Sequence, residues 1–523
     1  MTGFQTEIFT EDVFGAGRLG IISPGINTIN TTSGTDGAGK TTPPSVNGAY
    51  DKWSTVGFFG RINYNFAERY LLEANLRYDG TSRFRQDKRW KLFPSVSMGW
   101  NIANEAFFEP LKSSVNTLKL RGSWGMLGNQ NTRLWYPTYL IMPVGTSNGD
   151  WLINGARPNS SSAPGLISQS MAWETIRSVN GGLDVTMFKN RLDITIDIYK
   201  RWTDNMIGPA PEMPVILGTA VPKTNNTDLV TSGWEASVKW NDRFDSGFGY
   251  NVGLNIADSR TTITNYPTST SPFSSYYPNK NMGEIWGFET IGIAKSAEEM
   301  NNHLASLPNG GQNAIGNNWD AGDVMYKDLN GDGKVDWGSS SLDNPGDMKV
   351  IGNGTPRYAF GIQLGANYKG FDFNMFMQGI MKKDYYTSGS QDFWGAGGGL
   401  WDSTVLLDHL DYFRSDESHH LGANLDSYYP RPLWSGKNKQ PQTRYLVDAS
   451  YIRLKNISFG YTIPNQITEK IGFKNLRFSF TGENLWTGTK TPSMYDPETI
   501  DSYEGRIMYP LTKVYSFGIK ADF

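Results

Sequence analysis

The stretch Leu511-Thr-Lys-Val-Tyr-Ser-Phe-Gly-Ile-Lys-Ala-Asp-Phe523 decides the fold. Counted back from Phe523, the residues Ala521, Ile519, Phe517 and Tyr515 are apolar, and Asp522, Lys520, Gly518 and Ser516 lie between them. A period of two gives an extended strand one greasy face and one polar face. A terminal strand ending on an aromatic residue suits a transmembrane β-barrel, whose last strand faces lipid along its length and seals the wall. Tyr515, Phe517, Ile519 and Phe523 are then the barrel-assembly residues. The competing reading is the edge strand of a soluble β-sandwich, whose terminus frays unless tied down.

The same alternation recurs upstream. Leu192, Ile194, Ile196 and Ile198 interleave with Asp193, Thr195 and Asp197, and Phe360, Ile362 and Leu364 interleave with Gly361, Gln363 and Gly365. Further runs lie near 52–66, 69–80, 92–103, 117–127, 177–188, 230–241, 248–256, 371–381, 449–462 and 474–486. They are longer than the five or six residues of an average soluble strand, and long enough to cross a bilayer at a tilt. Their connections alternate. Ala67-Glu68, Lys189-Asn190, the 241–247 bend and Lys369-Gly370 are tight, whereas 128–176, 204–229, 260–355 and 382–448 are long. Short turns on one side and long loops on the other are the pattern of an outer-membrane barrel. The reading predicts thirteen antiparallel strands, with residues 1–51 as an exterior loop segment. An odd count starting outside is expected of the carboxy-terminal part of a longer chain.

Composition agrees. The 523 residues include 58 Gly, 26 Tyr, 27 Phe and 17 Trp, with no Cys. Disulfides and thiolate metal sites are therefore excluded. A formal net charge of −3 argues against a nucleic-acid partner. A mean hydropathy of −0.46 is compatible with a barrel, since half of each strand and all of its loops are polar. The first residues, Met1-Thr-Gly-Phe-Gln-Thr-Glu-Ile8, show neither the basic nor the apolar region of a secretory signal.

No constellation reads as catalytic, and the chain is expected not to be an enzyme. His303, His409, His419 and His420 fall in predicted loops, as solvated residues. Glu298-Glu299 sits on a short helical stretch. Asp328-Leu-Asn330-Gly-Asp332-Gly-Lys334-Val-Asp336 places oxygen ligands at alternate positions around glycine. That is the start of a Ca2+ loop, with Asp328, Asn330, Asp332 and Asp336 giving side-chain oxygens and Lys334 its carbonyl. Asp343 or Asp347 would close the shell. The plain alternative is an Asx-rich turn satisfying its own backbone. Exterior-loop aromatics Trp135, Tyr136, Trp151, Trp394, Trp401 and Trp434, with Tyr276-Tyr277, are candidate sugar-stacking residues or loop packing. Trp90, Trp100, Trp124 and Trp486 read as girdle residues at strand ends.

Several motifs, in order, resemble SusC/RagA-type TonB-dependent outer-membrane transporters. They are Arg69-Tyr-Leu-Leu-Glu-Ala-Asn-Leu-Arg-Tyr-Asp-Gly-Thr-Ser-Arg-Phe84, Phe93-Pro-Ser-Val-Ser-Met-Gly-Trp100 and Leu118-Lys-Leu-Arg-Gly-Ser-Trp-Gly125. The stretch Tyr326–Asp336 followed by Ile351-Gly-Asn353, and the stretches Asp448–Tyr461 and Asn475–Asn484, continue the likeness. The resemblance implies a partial, all-β antiparallel transmembrane β-barrel over 52–523, about thirteen strands of a 22-stranded wall, in the cell outer membrane. It implies import of oligosaccharides or peptides, a SusD-like surface lipoprotein as lid, and energy from TonB–ExbB–ExbD. The plug and TonB box of such transporters are not matched here. A soluble glycan-binding or glycan-cleaving β-protein and a passive porin-like barrel are the rival readings.

Overall fold

The computed structural model describes all residues except 24, 27, 133, 146–150, 211–215, 217–218, 220, 387–406, 434 and 501–510. One antiparallel sheet of 14 strands dominates, each strand paired with the next in sequence. The first five are β1 Thr2–Gly17, β2 Ser45–Phe66, β3 Tyr70–Thr81, β4 Trp90–Asn101 and β5 Val115–Asn129. Then come β6 Glu174–Met187, β7 Leu192–Ile207, β8 Asn225–Arg243, β9 Gly249–Asn265 and β10 Arg357–Tyr368. The last four are β11 Phe371–Lys382, β12 Tyr451–Thr462, β13 Asn475–Thr489 and β14 Val514–Asp522. β1 and β14 are the two edges and do not pair with each other, so the sheet is an open arc of wall.

The count corrects the expected thirteen, and the added strand lies inside the segment 1–51 read as a loop. β1 pairs along its whole length with β2, from Thr2 opposite Gly60 to Gly17 opposite Ser45. β3 ends opposite Thr55, so the part of β2 before it has no strand partner but β1. Thr2–Glu7 continue the wall beside β2, and the outer part of the hairpin, Ile8–Gly17 with Ser45–Ser54, projects beyond β3. Asp12, on the face of Phe4, Ile8 and Phe14, interrupts the apolar alternation that marks the lower strands.

The tight turns keep their predicted places. Ala67 and Glu68 have φ of +51° and +56°, the left-handed backbone of a tight turn that the Arg69 amide closes by donating to the Phe66 carbonyl at 3.0 Å. Register then sorts the side chains. Tyr64, Leu72 and Met98 stand opposite one another on β2, β3 and β4. The row continues through Gly122, Gly181 and Ile198. Tyr64, Met98 and Ile198 are 56%, 61% and 62% exposed, which fits a surface meant for lipid. Phe517 and Ile519 face Phe480 and Phe478 on the same outer surface. Trp90 and Trp486 are exposed near strand ends, and Trp100 stacks on Tyr70. Trp124 departs from expectation: it lies within β5, between Val96 and Val179, rather than at an end.

Among the described residues the larger hydrophobic core lies above the wall and a smaller one lies at its rim. The long connection between β9 and β10 folds with the one between β11 and β12. Within this exterior domain Glu284–Phe288 pairs with Met348–Asn353, and Thr290–Ile293 with Val324–Tyr326. One helix, Ala297–Ala305, begins at Ser296, whose hydroxyl accepts from the Glu299 amide while the Glu299 carboxylate accepts from the Lys295 amide. One orphan donor of the first turn is thereby satisfied, and the amide before the cap is held as well. Phe288, Met300, Val324, Tyr326 and Val335 from the first loop, with Phe413, Tyr429 and Tyr445 from the second, form the core. A smaller core of Phe84, Phe93, Met171 and Trp173 seals the rim above β4.

Candidate functional site: the inner wall and the exterior domain

The polar face of the strands carries paired charges. Arg121 of β5 holds Asp184 of β6 at 2.7 Å and Asp197 of β7 at 2.9 Å, linking three strands. Arg77 holds Asp79 at 3.0 Å, and Arg61 approaches Glu73 at 3.8 Å. Arg477 of β13 binds Asp372 of β11 across the intervening strand. Near the exterior end Arg453 is buried between Asp496 at 2.8 Å and Glu498 at 2.7 Å. Seen against the apolar opposite face, this is the polar lining of a lumen.

The exterior domain is held together by one buried carboxylate. Asp323 has no exposed surface. Its two oxygens accept from Arg431 Nε and Nη2 at 2.8 and 2.7 Å, from Lys437 Nζ at 2.7 Å and from Asn438 Nδ2 at 2.9 Å. Burial opposes ionisation of Asp323, but the hydrogen bonds from Arg431, Asn438 and Lys437 outweigh it, so its carboxyl is held below the usual range. Lys437 Nζ also lies 4.6 Å from the centre of the Trp319 ring. Tyr326 donates to the Lys437 carbonyl at 2.6 Å, and Thr290 donates to the Gln442 side chain at 2.8 Å. Residues more than 100 positions apart in sequence are thus locked together.

The calcium expectation meets a different geometry. Asp328 Oδ1 and Oδ2 accept from the amides of Gly331 and Gly333, Asn330 Oδ1 from Asp332, and Asp332 Oδ1 from Lys334. Asp336 accepts from Gly338 and lies 2.6 Å from the Lys334 ammonium. Asp347, fully buried, accepts from the amides of Leu329, Asn330 and Asp336. Among the described residues no three His, Asp or Glu side chains converge as a metal cluster. The arrangement is that of an Asx turn pinned by Asp347.

Of the candidate sugar-stacking residues, Trp135 stacks on Phe9, and the Tyr136 hydroxyl accepts from the Lys52 amide at 2.9 Å. The loop carrying them therefore leans on the β1–β2 hairpin. Trp151 is 77% exposed. Trp394, Trp401 and Trp434 lie outside the described residues. Tyr277 is buried, donating to Glu284. His409, expected to be solvated, is 1% exposed and edge-on to Tyr429, and His303 is on the helix, bonded to Gln312. The reading missed the Asp323 cluster, because its members are spread over two loops and share no motif.

Comparison with known proteins gives a consistent answer. The TonB dependent receptor-like, beta-barrel family model matches residues 9–485. TonB-dependent receptor P3 of Formosa agariphila is 27% identical over 456 residues, 85% of this chain and 42% of that protein. TonB-dependent receptor SusC of Bacteroides thetaiotaomicron is 25% identical over 477 residues, 90% of this chain and 44% of that protein. The structure of the RagAB peptide transporter superposes with a TM-score of 0.76 at 23% identity, covering 100% of this chain and 53% of that one. The chain thus spans about half or less of the length of the relatives it matches. With its apolar outer face, polar inner face and SusC/RagA-type motifs, this chain belongs to the TonB-dependent receptor β-barrel family of the outer membrane.

Proposed function

We propose that this chain is the substrate-facing wall and exterior gate of a TonB-dependent importer of oligosaccharides or peptides. The observation carrying this reading is the contrast between the two faces of one sheet. Lipid-facing residues such as Met98 and Ile198 stand on one side, and the Arg121–Asp184–Asp197 cluster stands on the other. A polar lining passes hydrophilic cargo, and an exterior domain with its own core offers a shaped mouth. The relatives' names add to this: one is SusC, and the solved neighbour transports peptides. A SusD-like surface lipoprotein as lid, and TonB–ExbB–ExbD as energy source, belong to the same proposal. The chain contributes binding and guided passage, with no bond broken. Uptake of labelled oligosaccharides and peptides by cells producing the receptor, with and without tonB, tests it. Uptake is expected to vanish without tonB. Uptake that persists points instead to a passive pore.

A further inference from the structure

Inner-wall arginines such as Arg61, Arg77, Arg121 and Arg477 each have a carboxylate. Two arginines in the loop between β3 and β4 do not. The ladder runs past the strand ends here: Thr81 N donates to the Arg89 carbonyl at 3.3 Å and Ser82 N to the Ser54 carbonyl at 2.9 Å. Arg83 consequently stands across from Trp53, its guanidinium carbon 4.9 Å from the ring centre. Arg89 stands across from Thr81, two positions before Lys91 on the same face of the strand. Trp53 in turn stacks on Phe9 at 5.8 Å, and Phe9 on Trp135 at 5.7 Å. Register puts Phe9 and Trp53 on the face that carries Arg61, the inner one.

Among the described residues the Nε atoms of both Arg83 and Arg89 are buried and meet no acceptor. The loop's own carboxylate, Asp87, approaches Arg85 at 3.7 Å instead. Lys91 donates to the neutral hydroxyl of Thr175. Burial without a counter-charge lowers the basicity of Arg83. A buried guanidinium N–H without an acceptor is a standing cost that an arriving anion removes. Glu7, Glu11 and Asp51 lie on the same face, one rung either side of the Phe9–Trp53 pair. They would repel a dense polyanion, which narrows the fit to a ligand whose negative charges are spaced out by neutral, flat surface. Phe9 keeps 45% of its surface exposed for contact with such a surface.

We infer that Trp135, Phe9, Trp53, Arg83 and Arg89 form a subsite at the exterior mouth for an oligosaccharide with a carboxylate on its sugar units. The rings take the C–H faces of the sugars, and the two guanidinium groups take the carboxylate, for which their forked donors are matched. This rests on the importer reading above and names its substrate class.

The test uses the receptor purified from the outer membrane with its natural full chain. Titration calorimetry compares trigalacturonate, its carboxyl-reduced counterpart and triglutamate peptide. Trigalacturonate is expected to bind on the order of tenfold or more tighter than the reduced sugar. Paired Arg83→Gln and Arg89→Gln substitutions are expected to erase that preference. Paired Arg83→Lys and Arg89→Lys substitutions, which keep the charges and lose the forks, are expected to erase part of it, and Trp53→Ala to weaken both sugars alike. Heat-modifiable gel migration reports that each variant is folded. Equal binding of charged and reduced sugar, tighter binding of triglutamate, or a preference unchanged in the glutamine variant overturns the inference. Binding to the isolated receptor needs no TonB, so this failure is separable from loss of the importer reading, which is judged by uptake alone.

Discussion

Asp323 is the shared counter-ion of Arg431 and Lys437 in the exterior domain. Asp323→Asn leaves a Lys437 side chain 4% exposed with an uncompensated charge. Breaking such a buried pair costs about 3–5 kcal/mol. We expect Asp323→Asn to destabilise the exterior domain by about that amount, read from the denaturation midpoint of tryptophan fluorescence, with Trp319 as the near reporter. The pH dependence follows from the direction of the shift. The folded carboxyl sits below its unfolded value, so its contribution is present above the ordinary carboxylate pKa of about 3.9 and is lost as pH falls toward the lower folded value. Acid loss of the signal that is identical in the asparagine variant would sink the assignment. Asp347 makes a second prediction at this scale. Since it pins the 328–336 loop through three amides, Asp347→Asn should cost about 1–3 kcal/mol, while EDTA should leave the melting curve where it was. A midpoint several degrees lower in EDTA would restore the calcium reading of Asp328, Asn330, Asp332 and Asp336.

At the scale of the element, β14 is the strand whose pattern was plainest, and its outer face is bare of protein: Phe517 is 83% exposed and Ile519 72%. Lysine at position 519 places a charge where lipid is expected, at a cost of about 2–4 kcal/mol near the bilayer midplane. Ile519→Lys should therefore cut the heat-modifiable, folded fraction in outer membranes, whereas Lys520→Ile on the opposite face should not. Equal effects at the two positions would mean that both faces see the same medium. Legibility follows the same physics. Strands β2 to β14 could be read because each separates lipid from a wet lining, and that contrast writes a period of two into the sequence. The outer part of the β1–β2 hairpin projects beyond β3, and Asp12 on its apolar face and Phe9 on its polar face break the pattern, so the segment reads as loop. The candidate site was legible only in part. Trp135 could be named as an exposed-loop aromatic, but Phe9, on which it stacks, meets Trp53 and Arg83 only through sheet register. Asp323 and Lys437 meet through the packing of two separate loops, which no local spacing records.

At the scale of the whole molecule, two kinds of stability are joined in one chain. The wall has almost no buried apolar core of its own, and its hydrophobic term comes from lipid around residues such as Met98 and Ile198. The exterior domain is the reverse: a water-facing fold around Phe288, Met300, Tyr326, Tyr429 and Tyr445, latched by Asp323. The two meet where the Ile263 amide of β9 donates to the Lys280 carbonyl at 2.9 Å and the Met282 amide donates to the Thr261 carbonyl of β9 at 2.9 Å. Units with separate cores need not unfold together. In detergent, urea should quench the tryptophan signal of the exterior domain at a lower concentration than it abolishes the far-ultraviolet dichroism of the sheet. Asp323→Asn should move only the first transition. A single coincident transition, shifted as a unit by Asp323→Asn, would show instead that the mouth and the wall are one cooperative body. In that case a gate could not open without loosening the barrel beneath it.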